Sequence, residues 1–149
     1  MNSTPSAPEL RLSFSIEALT GEYLPLSKRG SELLEYIPIT GGRVSGDITG
    51  EIIPGGADWC LTRSDATYQV EARYLFRTDG GDIVDVVNIG YLQRNSAARP
   101  APGTEEYFMT TPVFRTVAPH LQWLTRTVFV GRATAHGTHT SIDVYEVVG

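Results

Sequence analysis

Hydrophobic and polar positions along this chain alternate with a period of two. Leu10, Leu12, Phe14 and Ile16 are interleaved with Arg11, Ser13, Ser15 and Glu17, the mark of a half-buried strand. Similar short runs recur near residues 35–40, 43–53, 57–63, 67–77, 82–92, 107–117, 126–134 and 139–148. Glycine pairs at Gly41-Gly42, Gly55-Gly56 and Gly80-Gly81 punctuate them and predict turns or bulges. Helical spacing is confined to one short segment near 119–126, where Pro119 opens the run and Leu121 and Leu124 lie three apart. Asn95 to Glu106, with its two prolines and a glycine, reads as a loop long enough to cover a barrel mouth. Residues 1–9 read as a disordered tail, and 10–149 as one domain without repeat or linker. Eight to ten strands in such a unit predict an all-β fold, either a closed barrel or a sandwich.

Turn placement predicts which strand residues share a face. A two-residue turn at Asp65-Ala66 would set Cys60 opposite Glu71 and Asp58 opposite Arg73. A loop Thr78-Asp79-Gly80-Gly81 would set Arg77 opposite Asp82, Glu71 opposite Asn88, and Arg73 opposite Val86. One face then holds Trp59, Leu61, Val70, Ala72, Tyr74, Phe76, Ile83, Val87 and Ile89, with Asp85 as its only charge. The other gathers Asp58, Cys60, Thr62, Gln69, Glu71, Arg73 and Asn88. A slip of one residue would scramble both sets.

Charge and cysteine content narrow the function classes. A formal net charge of −5 leaves no basic stripe to neutralise phosphates, which argues against nucleic acid as a partner. Cys60 is alone, so an intramolecular disulfide and a thiolate metal cluster are both excluded. No apolar run reaches the length of a membrane span, and the first nine residues lack a signal-peptide layout, so a cytoplasmic location is the expectation. His136 and His139 have no third partner at metal-ligand spacing, and no phosphate loop, dinucleotide fingerprint or nucleophile elbow is present. Neither a metal nor another cofactor is expected.

The remaining candidates for chemistry are clustered. Asp58, Arg73, Glu71 and Asn88 combine opposite charges with an amide. In a barrel lumen they could set a general base and hold a carbonyl or carboxylate; on an outer wall they would be ordinary alternating surface charges. Asp85, placed next to Tyr74 on the apolar face, needs either a hydrogen-bond partner or a position at the barrel rim. Tyr107, Phe108, Phe114 and Trp123 bracket the short helical segment and could line a pocket for a flat apolar ligand, or simply form core.

The order and spacing of several of these segments resemble one family. They are the run from Tyr36 to Trp59, Ala72-Arg73-Tyr74, Thr78-Asp79-Gly80, Asn88 and Gly90, Tyr107-Phe108, Thr110-Thr111-Pro112, Phe114, and Trp123-Leu124 through Phe129-Val130-Gly131. Together they resemble the uncharacterised bacterial and fungal family known as domain of unknown function 3237. The resemblance implies a small antiparallel β-barrel of lipocalin-like size, cytoplasmic and often dimeric, with no established activity or cofactor. Asp58, Arg73, Asn88 and Gly90 belong to the family's pattern, whereas Met109, Arg115 and Thr125 stand where arginine, glutamate and asparagine are expected. The function expected is acid–base chemistry of cyclase, isomerase, lyase or hydratase type on a hydrophobic or aromatic carbonyl-bearing metabolite. Asp58 or Glu71 would move the proton, with Arg73 and Asn88 on the developing oxyanion. A non-catalytic ligand-binding or oligomerisation barrel is the alternative.

Overall fold

The alternating runs form nine strands in one antiparallel sheet: β1 (Glu9–Thr20), β2 (Leu24–Arg29), β3 (Glu32–Gly46), β4 (Gly50–Thr62), β5 (Tyr68–Thr78), β6 (Ile83–Gln93), β7 (Tyr107–Arg115), β8 (Phe129–Ala135) and β9 (His139–Val148). The computed structural model describes residues 4–94 and 106–149. The loop expected at Asn95–Glu106 therefore lies outside the described residues apart from Glu106, and residues 4–8 are exposed without regular structure. β1 pairs with both β9 and β3, which closes eight strands into a barrel and leaves β2 as one extra strand on β3. A 3₁₀ helix, Pro119–Thr125, occupies the position of the expected helical segment and buries Leu121 and Leu124. Among the described residues no helix is long and apolar enough to cross a membrane.

β3 and β4 are longer than the hydrophobic pattern suggested because two of the glycine pairs are bulges inside them. The β3–β4 register shifts between Ile39 and Arg43, across Gly41-Gly42. The β4–β5 register shifts between Ile53 and Ala57, across Gly55-Gly56. A bulge bends a strand without ending it, so each run continues to the opposite end of the barrel. β2, six exposed residues, had no counterpart in the expected strands.

The expected register fails at both hairpins, by one residue each. Arg63 N–H donates to Thr67 O at 2.8 Å, and Ala66 N–H to Arg63 O at 2.9 Å, leaving a three-residue loop with Ala66 at φ 68°. The next hairpin repeats this chemistry: Thr78 N–H donates to Asp82 O and Gly81 N–H to Thr78 O, both at 2.8 Å, with Gly81 at φ 93°. This is a type I turn followed by a left-handed residue, and glycine suits the last position because it has no Cβ to clash. Three residues replace the expected two in the first loop and the expected four in the second. Asp58 therefore pairs with Ala72 rather than Arg73, and Asn88 pairs with Ala72 rather than Glu71. Relative to β5, both neighbouring strands are turned over.

The lumen divides into two layers. Around the 3₁₀ helix it is filled by rings and branched side chains, with Phe14, Phe76, Phe114, Phe129, Val44, Val84, Val86, Val144 and Leu124 all at most 2% exposed. Phe114 lies 5.4 Å from Phe14 and 5.1 Å from Phe129, centroid to centroid, in tilted and edge-on contacts. Toward the other end the inward positions become small: Ala18, Ala72 and Ala133, with Gly90 and Gly131 beside Thr110 in the ladder. Small residues leave space there.

Candidate functional site

That space is a cavity of about 50 Å³ lined by Asp58, Tyr74, Asn88, Thr110, Phe108 and the alanines around them. Each polar group arrives from a different strand. Asp58 sits in β4 between Ile37 of β3 and Ala72 of β5. Asn88, 4% exposed, sits in β6 between Ala72 and Pro112 of β7. Tyr74 lies two residues along β5 from Ala72, on the same face. Thr110 lies in β7 between Gly90 and Gly131. A Cβ on Gly131 would come within 2.3 Å of Thr110 Oγ1, so glycine there keeps the hydroxyl in place.

Hydrogen bonding in this cavity is incomplete. Tyr74 Oη, Asn88 Oδ1 and Thr110 Oγ1 are buried and have no partner among the described residues. An unsatisfied buried polar atom costs ~1–3 kcal/mol, so three around one cavity concentrate open hydrogen-bonding capacity in one place. Asp58 is only partly satisfied. Its Oδ1 accepts from Glu71 N–H at 2.8 Å, where the β4–β5 ladder skips Trp59-Cys60 opposite Val70-Glu71. Burial pushes the Asp58 carboxyl up, the Glu71 N–H pulls it back down and the Glu71 charge adds a smaller rise, for a pKa of about 6. Such a group exchanges protons near neutrality.

The neighbouring titratable groups are held protonated. Burial pushes the Cys60 thiol up to about 12, and the Asp58 and Glu35 charges add to it. A thiol so raised is not a nucleophile. Burial alone raises the Tyr74 phenol, which therefore remains a hydroxyl able to donate.

The structure brings together four of the residues singled out from the sequence: Asp58, Asn88, Tyr74 and Phe108. It separates the others from them. Glu71 and Arg73 are exposed on the outer wall, because β5 turns Ala72 and Tyr74 inward. Asp85 also faces outward, where its Oδ2 accepts from Arg115 Nε at 2.8 Å. Tyr107 is 46% exposed, while Phe114 and Trp123 pack at the end closed by the 3₁₀ helix. His136 and His139 stack at 4.3 Å in the β8–β9 hairpin. Thr110 was not among the residues singled out, although alternation with Phe108 and Phe114 in β7 places it on their face.

These features define a class: a closed eight-stranded antiparallel barrel with a small, mostly apolar cavity, into which a few polar side chains reach, at one end of a packed lumen. The chain belongs to the family described as protein of unknown function DUF3237, which matches residues 8–147. It is 35% identical over 148 residues to a UPF0311 protein of Rhodopseudomonas palustris, covering 94% of this chain and 97% of that one. The crystal structure of the conserved protein of unknown function RPA1785 from that organism superposes with a TM-score of 0.87 over 97% of this chain and 100% of the other, at 35% identity. A β-barrel-like protein from Acinetobacter baumannii gives 0.86 at 28% identity, covering 98% and 99%. A protein described as an enzyme from Penicillium herquei shares the fold, with a TM-score of 0.78 at 21% identity over 99% of both chains.

Proposed function

We propose that this barrel is a cofactor-independent proton-transfer enzyme acting on a small hydrophobic or aromatic carbonyl compound. The observation that carries the reading is the convergence of three unpartnered buried polar atoms on the cavity that holds Asp58. In the step proposed, the Asp58 carboxylate takes a proton from the carbon next to a bound carbonyl. The C–H electron pair becomes the new C=C bond, and the carbonyl π pair moves onto oxygen. The Tyr74 and Thr110 hydroxyls donate to that oxygen, and the Asn88 side chain fixes a second polar group of the substrate. Return of the proton to a different atom gives an isomerase, and expulsion of a group from the neighbouring carbon gives a lyase. That the same fold serves as an enzyme in Penicillium herquei supports catalysis only by analogy of fold.

The expected roles of Glu71 and Arg73 pass to other atoms in this reading. Glu71 contributes its backbone N–H, which steadies Asp58. Oxyanion donors come from the lumen hydroxyls rather than from Arg73.

Enolisation can be assayed without knowing the natural substrate. Wild-type protein in D2O is expected to accelerate deuterium exchange of acetone methyl protons, followed by proton NMR, and Asp58→Asn is expected to abolish the acceleration while remaining folded. Equal exchange with both proteins would rule out Asp58 as the base. The small cavity also suits a second reading, a non-catalytic binder, for which ligands would raise the melting temperature with no exchange.

A further inference from the structure

The three unpartnered atoms of the lumen cavity are not chemically equivalent. The Tyr74 and Thr110 hydroxyls can each donate or accept a hydrogen bond. Asn88 Oδ1 is an amide oxygen on a side chain 4% exposed, and it can only accept. A bare carbonyl brings an acceptor alone, so it engages the two hydroxyls and leaves Asn88 Oδ1 unsatisfied. The ionised Asp58 carboxylate does not fill that need, since it too only accepts. An occupant that satisfies all three atoms therefore carries a donor as well as a carbonyl oxygen.

Register and volume set how far apart the two groups stand. Ala72 pairs with Asp58 on one side and with Asn88 on the other, so carboxylate and amide flank a single methyl. Two strand spacings separate their backbones by roughly 10 Å, and both side chains reach into that gap. The cavity of about 50 Å³ has room for on the order of three or four waters, which matches the four non-hydrogen atoms of an O=C–C–O unit. Carbonyl and donor hydroxyl are therefore placed on adjacent carbons. Asp58 is the only charged side chain in the lining, and the rest of the wall is largely alanine, valine and isoleucine. With no cation to offset Asp58, a phosphate or carboxylate on the occupant would be repelled.

We propose that the site takes short, uncharged α-hydroxy aldehydes and ketones and interconverts them by moving the carbonyl one carbon along. The assignment rests on the proton-transfer reading and narrows its substrate class. The substrate hydroxyl donates to Asn88 Oδ1, while Tyr74 and Thr110 donate to the carbonyl oxygen. Asp58 takes the proton from the hydroxyl-bearing carbon; the C–H pair becomes the C=C bond, and the carbonyl π pair moves onto oxygen. The hydroxyl proton then crosses to that neighbouring oxygen. The oxygen left negative re-forms a carbonyl on its own carbon, and the C=C pair takes the proton back from Asp58 at the other carbon. One proton has moved between carbons and one between oxygens, with no net gain or loss.

Hydroxyacetone and butanone test the donor directly, because they differ only in a hydroxyl replaced by a methyl of similar size. Protein labelled with 13C at the aspartate carboxyl carbons is titrated with each, and the Asp58 signal is followed. Hydroxyacetone is expected to bind at least tenfold more tightly than butanone, and Asn88→Leu is expected to erase that preference. Equal binding of the two by wild type, or a preference for butanone, would overturn the proposal. The reaction has its own readout. Lactaldehyde incubated with wild type should yield hydroxyacetone, seen as its methyl singlet in the proton NMR spectrum, at least tenfold faster than in buffer, and Asp58→Asn should return the rate to that of buffer. No conversion by wild type would sink the hydroxy-carbonyl assignment. If acetone exchange persisted in that case, proton transfer in the lumen would stand and the substrate class alone would fall; loss of acetone exchange as well would remove both.

Discussion

The two ends of this lumen are built from the same strands and have opposite chemistry. Near the 3₁₀ helix, β5, β6 and β7 contribute Phe76, Val84, Val86 and Phe114, all buried against one another. A few residues along the same strands they contribute Tyr74, Asn88 and Thr110, whose Oη, Oδ1 and Oγ1 atoms have no partner among the described residues. The first end holds the barrel together, and the second gives up part of that stability to keep hydrogen-bonding capacity open. Strained or unsatisfied groups gathered at one place, on a scaffold stabilised elsewhere, are what a functional site requires.

The largest test of this contrast is at the packed end. Phe114→Ala removes a ring in contact with Phe14 and Phe129 and should cost about 3–5 kcal/mol, lowering the melting temperature by on the order of 10 °C. A loss under ~1 kcal/mol in a chemical-denaturation series would mean that this end is not the stabilising one.

The polar end should respond to pH in the opposite sense from an ordinary paired carboxylate. The folded-state pKa of Asp58, about 6, lies above its ordinary value of 3.8, so the folded protein holds that proton more tightly than the unfolded chain. Its contribution is therefore complete below pH ~4 and is lost as pH rises through ~6. Two pKa units set an upper limit of about 3 kcal/mol, which solvent screening at this partly exposed group reduces. Asp58→Asn should flatten this fall and equal or exceed wild-type stability at pH 8, while losing acetone exchange. A mutant less stable than wild type at pH 8 would contradict the assignment.

Smaller effects are expected from the orphaned atoms. Tyr74→Phe removes a buried hydroxyl that has no partner among the described residues and should leave the melting temperature unchanged or raise it by a few degrees, where the same change at a satisfied tyrosine would lower it. The smallest effect belongs to the outer wall. Arg73→Ala should stay within ~0.5 kcal/mol of wild type and leave acetone exchange intact. Loss of exchange in Arg73→Ala would return the outer face to consideration.

Much of the architecture was legible because alternation is a direct consequence of the pleat: most of the strands, the short segment after Pro119 and the all-β fold follow from spacing, while the wholly exposed β2 gave no such signal. What spacing could not supply was register. Ala66 adopts a left-handed conformation without being glycine, so nothing in its side chain announces a three-residue loop, and one residue of slip turned β4 and β6 over against β5. Asp58 and Asn88 were thereby grouped with Glu71 and Arg73 although they belong with Tyr74. Thr110 was overlooked for a different reason. Its importance comes from the room left by Gly131 across the β7–β8 seam, a contact between residues distant in sequence.

A lumen carboxyl that exchanges protons near neutrality must itself titrate there, so the ionisation of Asp58 is the quantity to measure. The 13C resonance of the Asp58 carboxyl carbon, followed from pH 3 to pH 9, should show a single step with a midpoint of about 6. A midpoint near the ordinary value of 3.8 would instead make Asp58 a solvated wall residue with no protons to exchange at neutral pH, and would rule it out as the base.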